Sequence, residues 1–197
     1  MDYPVPANEI ERVAAVETYR VTDTPPEVAY DDIAELAAEI CRCPVGMINV
    51  IADTQEWLKA KYGLPPTLAY LPRGTACSTA ICQCDLLTVP DLANDERFAG
   101  LAAVKGDPHF RFYCGMPLIN PEGYALGTVC VFDFEPRELT FEQSESLRRL
   151  SRQTMAQLEL RRKLIELGNA RQALEGEKTR SDRLFCSTSF PRRSRRS

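Results

Sequence analysis

The chain has a single histidine and a single tryptophan among its 197 residues, and no apolar run approaches the ~18 residues that a membrane span requires. No transmembrane segment is therefore expected. The opening residues, MDYPVPANEIERV, lack a basic stretch followed by an apolar one, so no secretory signal is expected and the cytoplasm is the expected location. In that compartment the eight cysteines read as free thiols rather than as a disulfide framework. The lone imidazole, His109, leaves a haem one candidate axial histidine, and its place between Pro108 and Phe110 reads as a polar residue at the start of a strand. No P-loop, G-x-G-x-x-G, H-E-x-x-H or G-x-S-x-G motif occurs, and no paired carboxylates stand out. Catalysis by this chain alone is not expected, and no metal or cofactor is implied. Excess basic charge is also missing. The net charge is −4, and because the last thirteen residues carry four Arg and no acid, the remainder carries −8. Neither nucleic acid nor a membrane surface is an expected partner.

What the chain does carry, 44% hydrophobic and 26% charged residues, suits one globular domain with extensions. Residues 7–20 have helical spacing, with Ile10, Val13, Ala14 and Val16 toward one face and Asn8 as N-cap. A second helix over 27–41 follows, capped by Asp23 or Thr24, with Pro25-Pro26 in its first turn and a stripe of Ile33, Leu36, Ala37 and Ile40. VGMINVIA (45–52) reads as a strand. EWLKAKYG reads as its antiparallel partner, with Trp57, Lys59 and Lys61 opposite in direction to Leu58, Ala60 and Tyr62. Residues 64–75 read as a Pro/Gly loop, CSTAICQ as a short helix, LLTVPD as a strand, and LANDERFAGLAAVKGDP as a long connection with a short helix. HFRFYCGMPLI and YALGTVCVFD are strands joined by the turn NPEG. From Thr140, with Gln143 forming a capping box, one long helix runs to Leu184. This order predicts an α+β fold, an antiparallel sheet covered by helices, with its long loops in the middle of the chain, where a pocket would be built.

The segments NEIERVAAVETYRVTDTPPEVAYDDI, VGMINVIADTQEWLKAKYGL, PRGTACSTAI, VPDLANDERFAG, GDPHFRFYCGMPLINPEGYALGTVCVFD and LTFEQSESLRRLSRQ resemble, in order, those of a bacterial subgroup of the GAF domains. These are small-molecule-binding sensor modules of signalling proteins. The resemblance implies a sensor domain over residues 1–163, with five or six antiparallel strands, the terminal helices on one face and a ligand cavity under loops on the other. It does not imply a ligand, because GAF domains bind cyclic nucleotides, bilins, haem and small metabolites, and some act only as dimer scaffolds. The photoreceptor subgroups carry a Cys-His pair on a pocket helix. This chain lacks it, which argues against a bilin.

Candidate ligand-binding residues are Arg73, Thr75, Cys77, Asp91, Phe98, Arg111 and Tyr113. Strand alternation would put His109, Arg111 and Tyr113 on one face, where a guanidinium and a phenol can meet an anionic or planar ligand. The competing reading for Arg111 is a salt bridge to an acid of DLANDER. Trp57 reads as buried packing. Cys41-x-Cys43 and Cys82-x-Cys84 are spaced too tightly for common zinc half-sites and read as free thiols. A second functional reading makes Cys77, Cys82 and Cys84 a redox sensor, or the thiols of an enzyme resembling the free methionine sulfoxide reductases of the GAF family.

The C-terminal helix, ~65 Å long at 1.5 Å per residue, reads first as packing on the sheet or on a partner, through Phe141, Leu147, Leu150, Met155 and Leu158. Residues 164–184 then read as a connector. In heptads, Leu150 and Leu164 fall at a, and Leu160, Leu167 and Leu174 at d, among polar a and d residues such as Gln153, Gln157 and Arg171. That weak seam suits a homodimer contact that shifts register to carry a signal. Residues 185–197, FCSTSFPRRSRRS, are expected to be disordered and out of frame. Codons permitted for them, read one frame over, spell LLNILPEAIAEE. After RSDRL this is similar to the run that leads GAF domains into class III nucleotide cyclases. The expected parent is thus a GAF-linked adenylyl or guanylyl cyclase.

Overall fold

The computed structural model describes residues 3–188, with side chains through residue 176. Its elements in order are α1 (Glu9–Thr18), α2 (Val28–Cys41), β1 (Val45–Ile51), β2 (Gln55–Tyr62), β3 (Tyr70–Pro72), α3 (Ala76–Ala80), β4 (Leu87–Val89), α4 (Ala102–Lys105), β5 (Phe112–Ile119), β6 (Ala125–Asp133) and α5 (Phe141–Thr188). Six strands form one sheet in the order β3-β2-β1-β6-β5-β4, and every neighbouring pair is antiparallel. This is the α+β architecture expected from the order of elements. β3 falls inside the stretch 64–75 that reads as loop. It is three residues long at the sheet edge, where a proline costs no ladder bond on its open side.

The central strands are covered on both faces. Every residue of β1 and β6 is buried, so neither shows the polar alternation of a half-exposed strand. On one face, Ile48, Val50, Phe112, Cys114, Val129 and Val131 pack with α1, α2 and the start of α5 through Val16, Ala34, Ala37, Leu147 and Leu158. On the other, Val45, Met47, Tyr113, Cys130 and Phe132 pack under α3, α4 and the loops between them. The capping box at the start of α5 forms as expected. The Thr140 amide donates to Gln143 Oε1 at 2.9 Å, and the Gln143 amide donates to Thr140 Oγ1 at 3.3 Å.

Several local expectations are corrected. Ile10 is 84% exposed, and the buried residues of α1 are Arg12 and Val16. Asn8 precedes α1 but makes no side-chain cap bond. Glu27, not Asp23 or Thr24, is the residue before α2, so Pro25-Pro26 lie ahead of the helix rather than in its first turn. Leu36 and Ile40 face outward, and the buried stripe of α2 is Tyr30, Ile33, Ala34, Ala37, Ala38 and Cys41. Phe141 is exposed. Trp57 is half-buried, with its ring 5.5 Å from that of the exposed Tyr70.

Alternation also fails in β2. The pairing of β1 with β2 slips between Ile48 and Asn49, leaving Lys59 as the extra residue of a bulge. Leu58 then joins the loop-side core and Ala60, two residues on, joins the helix-side core. Lys59 is buried, and its ammonium donates to Thr24 Oγ1 at 2.8 Å, to the Pro25 carbonyl at 3.0 Å and to Glu27. The lysine thereby ties the segment between α1 and α2 to the sheet.

The chain divides into two compact units, Met1–Glu159 and Leu160–Ser197. The sequence reading placed the end of the sensor domain at residue 163. In the second unit Leu160, Leu164, Leu167 and Leu174 are 54–67% exposed. α5 continues to Thr188, past the expected end at Leu184, because FCST contains no helix breaker. The remainder of the expected disordered tail, 189–197, lies outside the described residues.

α2 meets β1 most closely at Gly46, where an added Cβ would sit 2.1 Å from the Ala34 carbonyl oxygen. Gly46→Ala is expected to lift α2 from the sheet and to cost about 1–3 kcal/mol, as overpacking does. Urea unfolding checks this, as a lowered midpoint at an unchanged slope.

Candidate functional site: a cavity beneath the middle loops

A cavity of about 870 Å³ opens on the loop side of the sheet, within the size range of small-molecule sites. Met47 and Phe132 of the sheet line it, with Leu68 and Leu71 from the segment before α3, and Leu101 and Val104 from around α4. These apolar side chains give it a lining of the kind that excludes water from any polar group facing it.

The polar lining includes Arg73 and Thr75, just before α3. The side chain of Arg73 is 4% exposed. Its Nη1 donates to Glu9 and, at 3.2 Å, to the Asp53 carbonyl, and its guanidinium lies 5.3 Å from the Tyr3 ring centre. Its Nε and Nη2 are buried without a hydrogen-bond partner. Glu9 also receives both bonds of a forked contact from Arg12, 2.7 Å from Nε and 2.8 Å from Nη2. Nη1 of Arg12, which is fully buried, donates to the carbonyls of Ile51 at 2.7 Å and Ala125 at 3.2 Å. One carboxylate thus serves two guanidinium groups and joins α1 to the cavity rim. Burial works against its charge, but Arg12 and Arg73 outweigh burial and hold the Glu9 carboxyl below its ordinary range.

Glu56 forms a second polar cluster behind Thr75. It is fully buried and accepts from Ser78 Oγ at 2.6 Å, from Thr75 Oγ1 at 2.7 and 2.9 Å, and from Asn49 Nδ2 at 3.1 Å. Thr75 Oγ1 also accepts the Cys77 amide at 3.1 Å, the N-cap bond of α3, while Ser78 Oγ accepts the Gly74 amide at 3.1 Å. Burial raises the Glu56 carboxyl, against the hydrogen bonds from Ser78 and Thr75 and the charge of Arg73. The cluster fixes α3 as one wall of the cavity.

Of the residues singled out from sequence, Arg73, Thr75 and Cys77 line the cavity together, whereas Asp91, Phe98, Arg111 and Tyr113 do not. The expected alternation over 109–113 does not hold, because β5 begins only at Phe112 and His109 has φ +61°. Arg111 turns back on its own loop, and Nη1 donates to the carbonyls of Val104 at 3.0 Å, His109 at 3.1 Å and Phe110 at 3.0 Å. Those bonds take the place of the expected ion pair. Phe110 faces the cavity instead. Tyr113 is fully buried, with its hydroxyl over Gly115, where an added Cβ would lie 2.1 Å away. Phe98 is buried in the loop-side core, and Asp91 accepts from Asn94 Nδ2 at 2.7 Å. Cys77 is buried while Cys82 and Cys84 are exposed, so the three thiols do not share one environment. Glu9, Arg12, Asn49, Glu56 and Ser78 are site residues that the sequence reading missed. Among the described residues no cluster of three or more His, Cys, Asp or Glu side chains is arranged to hold a metal ion. No helix among them is long and apolar enough to cross a membrane.

Residues 25–158 match the GAF domain family. The chain belongs to that family. It is 32% identical over 135 residues to a cyclic di-GMP phosphodiesterase of Pseudomonas aeruginosa, an alignment covering 68% of this chain and 23% of that protein. The chain therefore spans about a quarter of that relative. Among solved structures, the GAF domain of an Acinetobacter phosphoenolpyruvate-protein phosphotransferase superposes with a TM-score of 0.59 at 15% identity, covering 79% of this chain and 95% of that one. Free methionine-R-sulfoxide reductase of Neisseria meningitidis gives 0.57 at 13% identity, covering 83% and 98%. At such identities these two report the fold alone.

Glu9→Gln is expected to destabilise the protein by about 2–4 kcal/mol, since two buried guanidinium groups lose their shared counter-charge. The contribution of a depressed carboxyl is complete above the unfolded-state value of ~4.3 and is lost as the pH falls through the lower folded-state value. Urea titrations of the two proteins from pH 7 downward should therefore converge only below about pH 4.

Proposed function

We propose that this chain is a sensory, regulatory GAF domain whose cavity takes a compact, largely apolar ligand bearing one anionic group. The observation that carries this reading is Arg73, a nearly fully buried cation lining an apolar cavity, with Nε and Nη2 lacking partners. Glu9 is shared between two guanidinium groups, so it cannot by itself neutralise both Arg12 and Arg73. An anion would pair with Arg73, and the surrounding apolar lining would strengthen the contact.

The output we infer is a change in a homodimer formed through α5, relayed in the cytoplasm to an effector of cyclic-nucleotide turnover. The row of exposed Leu160, Leu164, Leu167 and Leu174 supports the dimer. The similarity of RSDRL and its shifted-frame continuation to cyclase leads supports a nucleotide cyclase as effector. The name of the Pseudomonas relative, a phosphodiesterase of a cyclic dinucleotide, supports cyclic-nucleotide turnover as the broader output class, with a different messenger from a mononucleotide cyclase's.

Two measurements test this. Thermal unfolding with a panel of cyclic mononucleotides and aromatic carboxylates should identify an anion that, at a hundredfold excess over its Kd, stabilises the domain by about 2.7 kcal/mol. Arg73→Met should abolish that increment, while Thr67→Ala, at an exposed residue of the cavity lining, keeps it. A panel without a stabilising anion, or one that stabilises both proteins equally, would refute the cavity reading. Separately, sedimentation should show reversible dimers at roughly tens of micromolar, the range of transient association. Leu164→Asp with Leu167→Asp should leave monomers. A wild-type protein that is monomeric throughout that range refutes the dimer.

A further inference from the structure

Cys77, at the start of α3, and Cys130, in the middle of β6, lie 53 residues apart in sequence and 3.7 Å apart at their sulfur atoms. Both are free and buried, and they differ in access. Cys77 lines the cavity and Cys130 lies behind it in the sheet. The remaining buried thiols have no such setting. Cys41, Cys43 and Cys114 belong to the helix-side core or its margin, away from the cavity, and burial pushes Cys41 and Cys43 up to about 12 and Cys114 up to about 11.

The polar groups around the pair treat its two sulfurs differently. Burial and the nearby Glu56 oppose ionisation of Cys77, but the Cys130 thiol against it, with the hydroxyls of Thr128 and Tyr113 close by, outweighs them and holds its thiol below the ordinary range. Burial pushes Cys130 well above it, and the hydrogen bond to Cys77 adds to the rise. Tyr113 stands beside Cys77, and its buried hydroxyl has no hydrogen-bond partner. Of the two thiols, Cys77 is therefore the one that gives up its proton more readily.

We propose that Cys77 and Cys130 are a redox-active dithiol, which a hydroperoxide entering through the cavity converts to a disulfide joining α3 to β6. The Cys77 thiolate attacks the peroxide, forming an S–O bond and breaking the O–O bond. The group displaced, hydroxide from hydrogen peroxide or alkoxide from an organic hydroperoxide, takes up the proton released by Cys77 and leaves as water or as the alcohol. Cys130 then attacks the sulfenic sulfur. The S–S bond forms, the S–O bond breaks, and the oxygen leaves as water with the Cys130 proton. The two sulfurs together lose two electrons and the peroxide gains them. A dithiol reductant reverses the change by thiol exchange. A disulfide of ~2.05 Å requires the sulfurs to close by about 1.7 Å. α3 has only five residues. It carries Thr75 at its N-cap and Ser78, so its movement disturbs the bonds to Glu56 and the cavity wall. This inference does not depend on which ligand the cavity takes.

The test treats the folded full-length chain with hydrogen peroxide, quenches it with an alkylating agent, and maps peptides without reduction, using fragment ions to assign each sulfur. Exposed Cys82 and Cys84 serve as internal references. The expected product links Cys77 to Cys130, is lighter by two hydrogens and is restored by dithiothreitol. Cys130→Ala should instead leave a Cys77 sulfenic acid that dimedone captures. Should that variant misfold, the wild-type map decides alone. Cys77 and Cys130 both remaining alkylatable on unfolding, at a peroxide dose that oxidises Cys82 and Cys84, overturns the proposal. So does a link that forms only in protein unfolded before treatment.

Discussion

Arg12 spends every hydrogen bond described for it inside the protein. Its guanidinium closes on the carbonyls of Ile51, the last residue of β1, and Ala125, the first of β6, and turns its remaining edge to Glu9. A buried cation is tolerated only when it is paired and hydrogen-bonded, so the position of α1 is dictated by where those three acceptors meet. The ends of the two central strands, the first turn of α1 and the rim of the cavity are thereby held at one point. Removing Glu9 leaves Arg12 charged in a place that water cannot reach, which is why this point constrains the fold more than an apolar contact of equal size would.

The cavity is polar at one corner and apolar elsewhere, and the two properties have separate origins. Its apolar lining comes from a sheet buried on both faces and from loops rich in Leu and Val. Its polar corner comes from the turn before α3 and from α3 itself, where Arg73, Thr75 and Ser78 reach the acids of two other elements, Glu9 and Glu56. Glu56, its carboxyl raised by burial, is built into structure, and Glu9 is split between two partners. Arg73 is the group at that corner with hydrogen-bonding capacity unspent.

Much of this was legible before any coordinates. The β-branched runs of β1 and β6, the NPEG turn and the Thr140–Gln143 box each state a local preference that the fold then obeys. The misreadings have a common form. Helical and strand periodicities assume that apolar side chains point inward and charged ones outward, and Arg12, Lys59 and Glu56 do the reverse because partners distant in sequence await them. By the same rule Ile10 is expected inside, yet Ile10 is exposed and Arg12 is buried. Arg111 and Tyr113 were paired by an alternation that starts one residue too late to include Arg111. Arg73, Thr75 and Cys77 fall within the PRGTACSTAI block of the family resemblance, and all three line the cavity. The approach of Cys130 to Cys77 depends on how α3 settles on β6, which no local pattern encodes.

Glu9 has a consequence for any coupling between cavity and helix. Because a single carboxylate divides itself between α1 and the cavity rim, whatever draws Arg73 away from it returns that carboxylate wholly to Arg12, and whatever displaces α1 returns Arg73 wholly to the cavity. Thermodynamic linkage makes these two statements one: the factor by which an occupant of the cavity alters the docking of α1 equals the factor by which docking alters the affinity for that occupant.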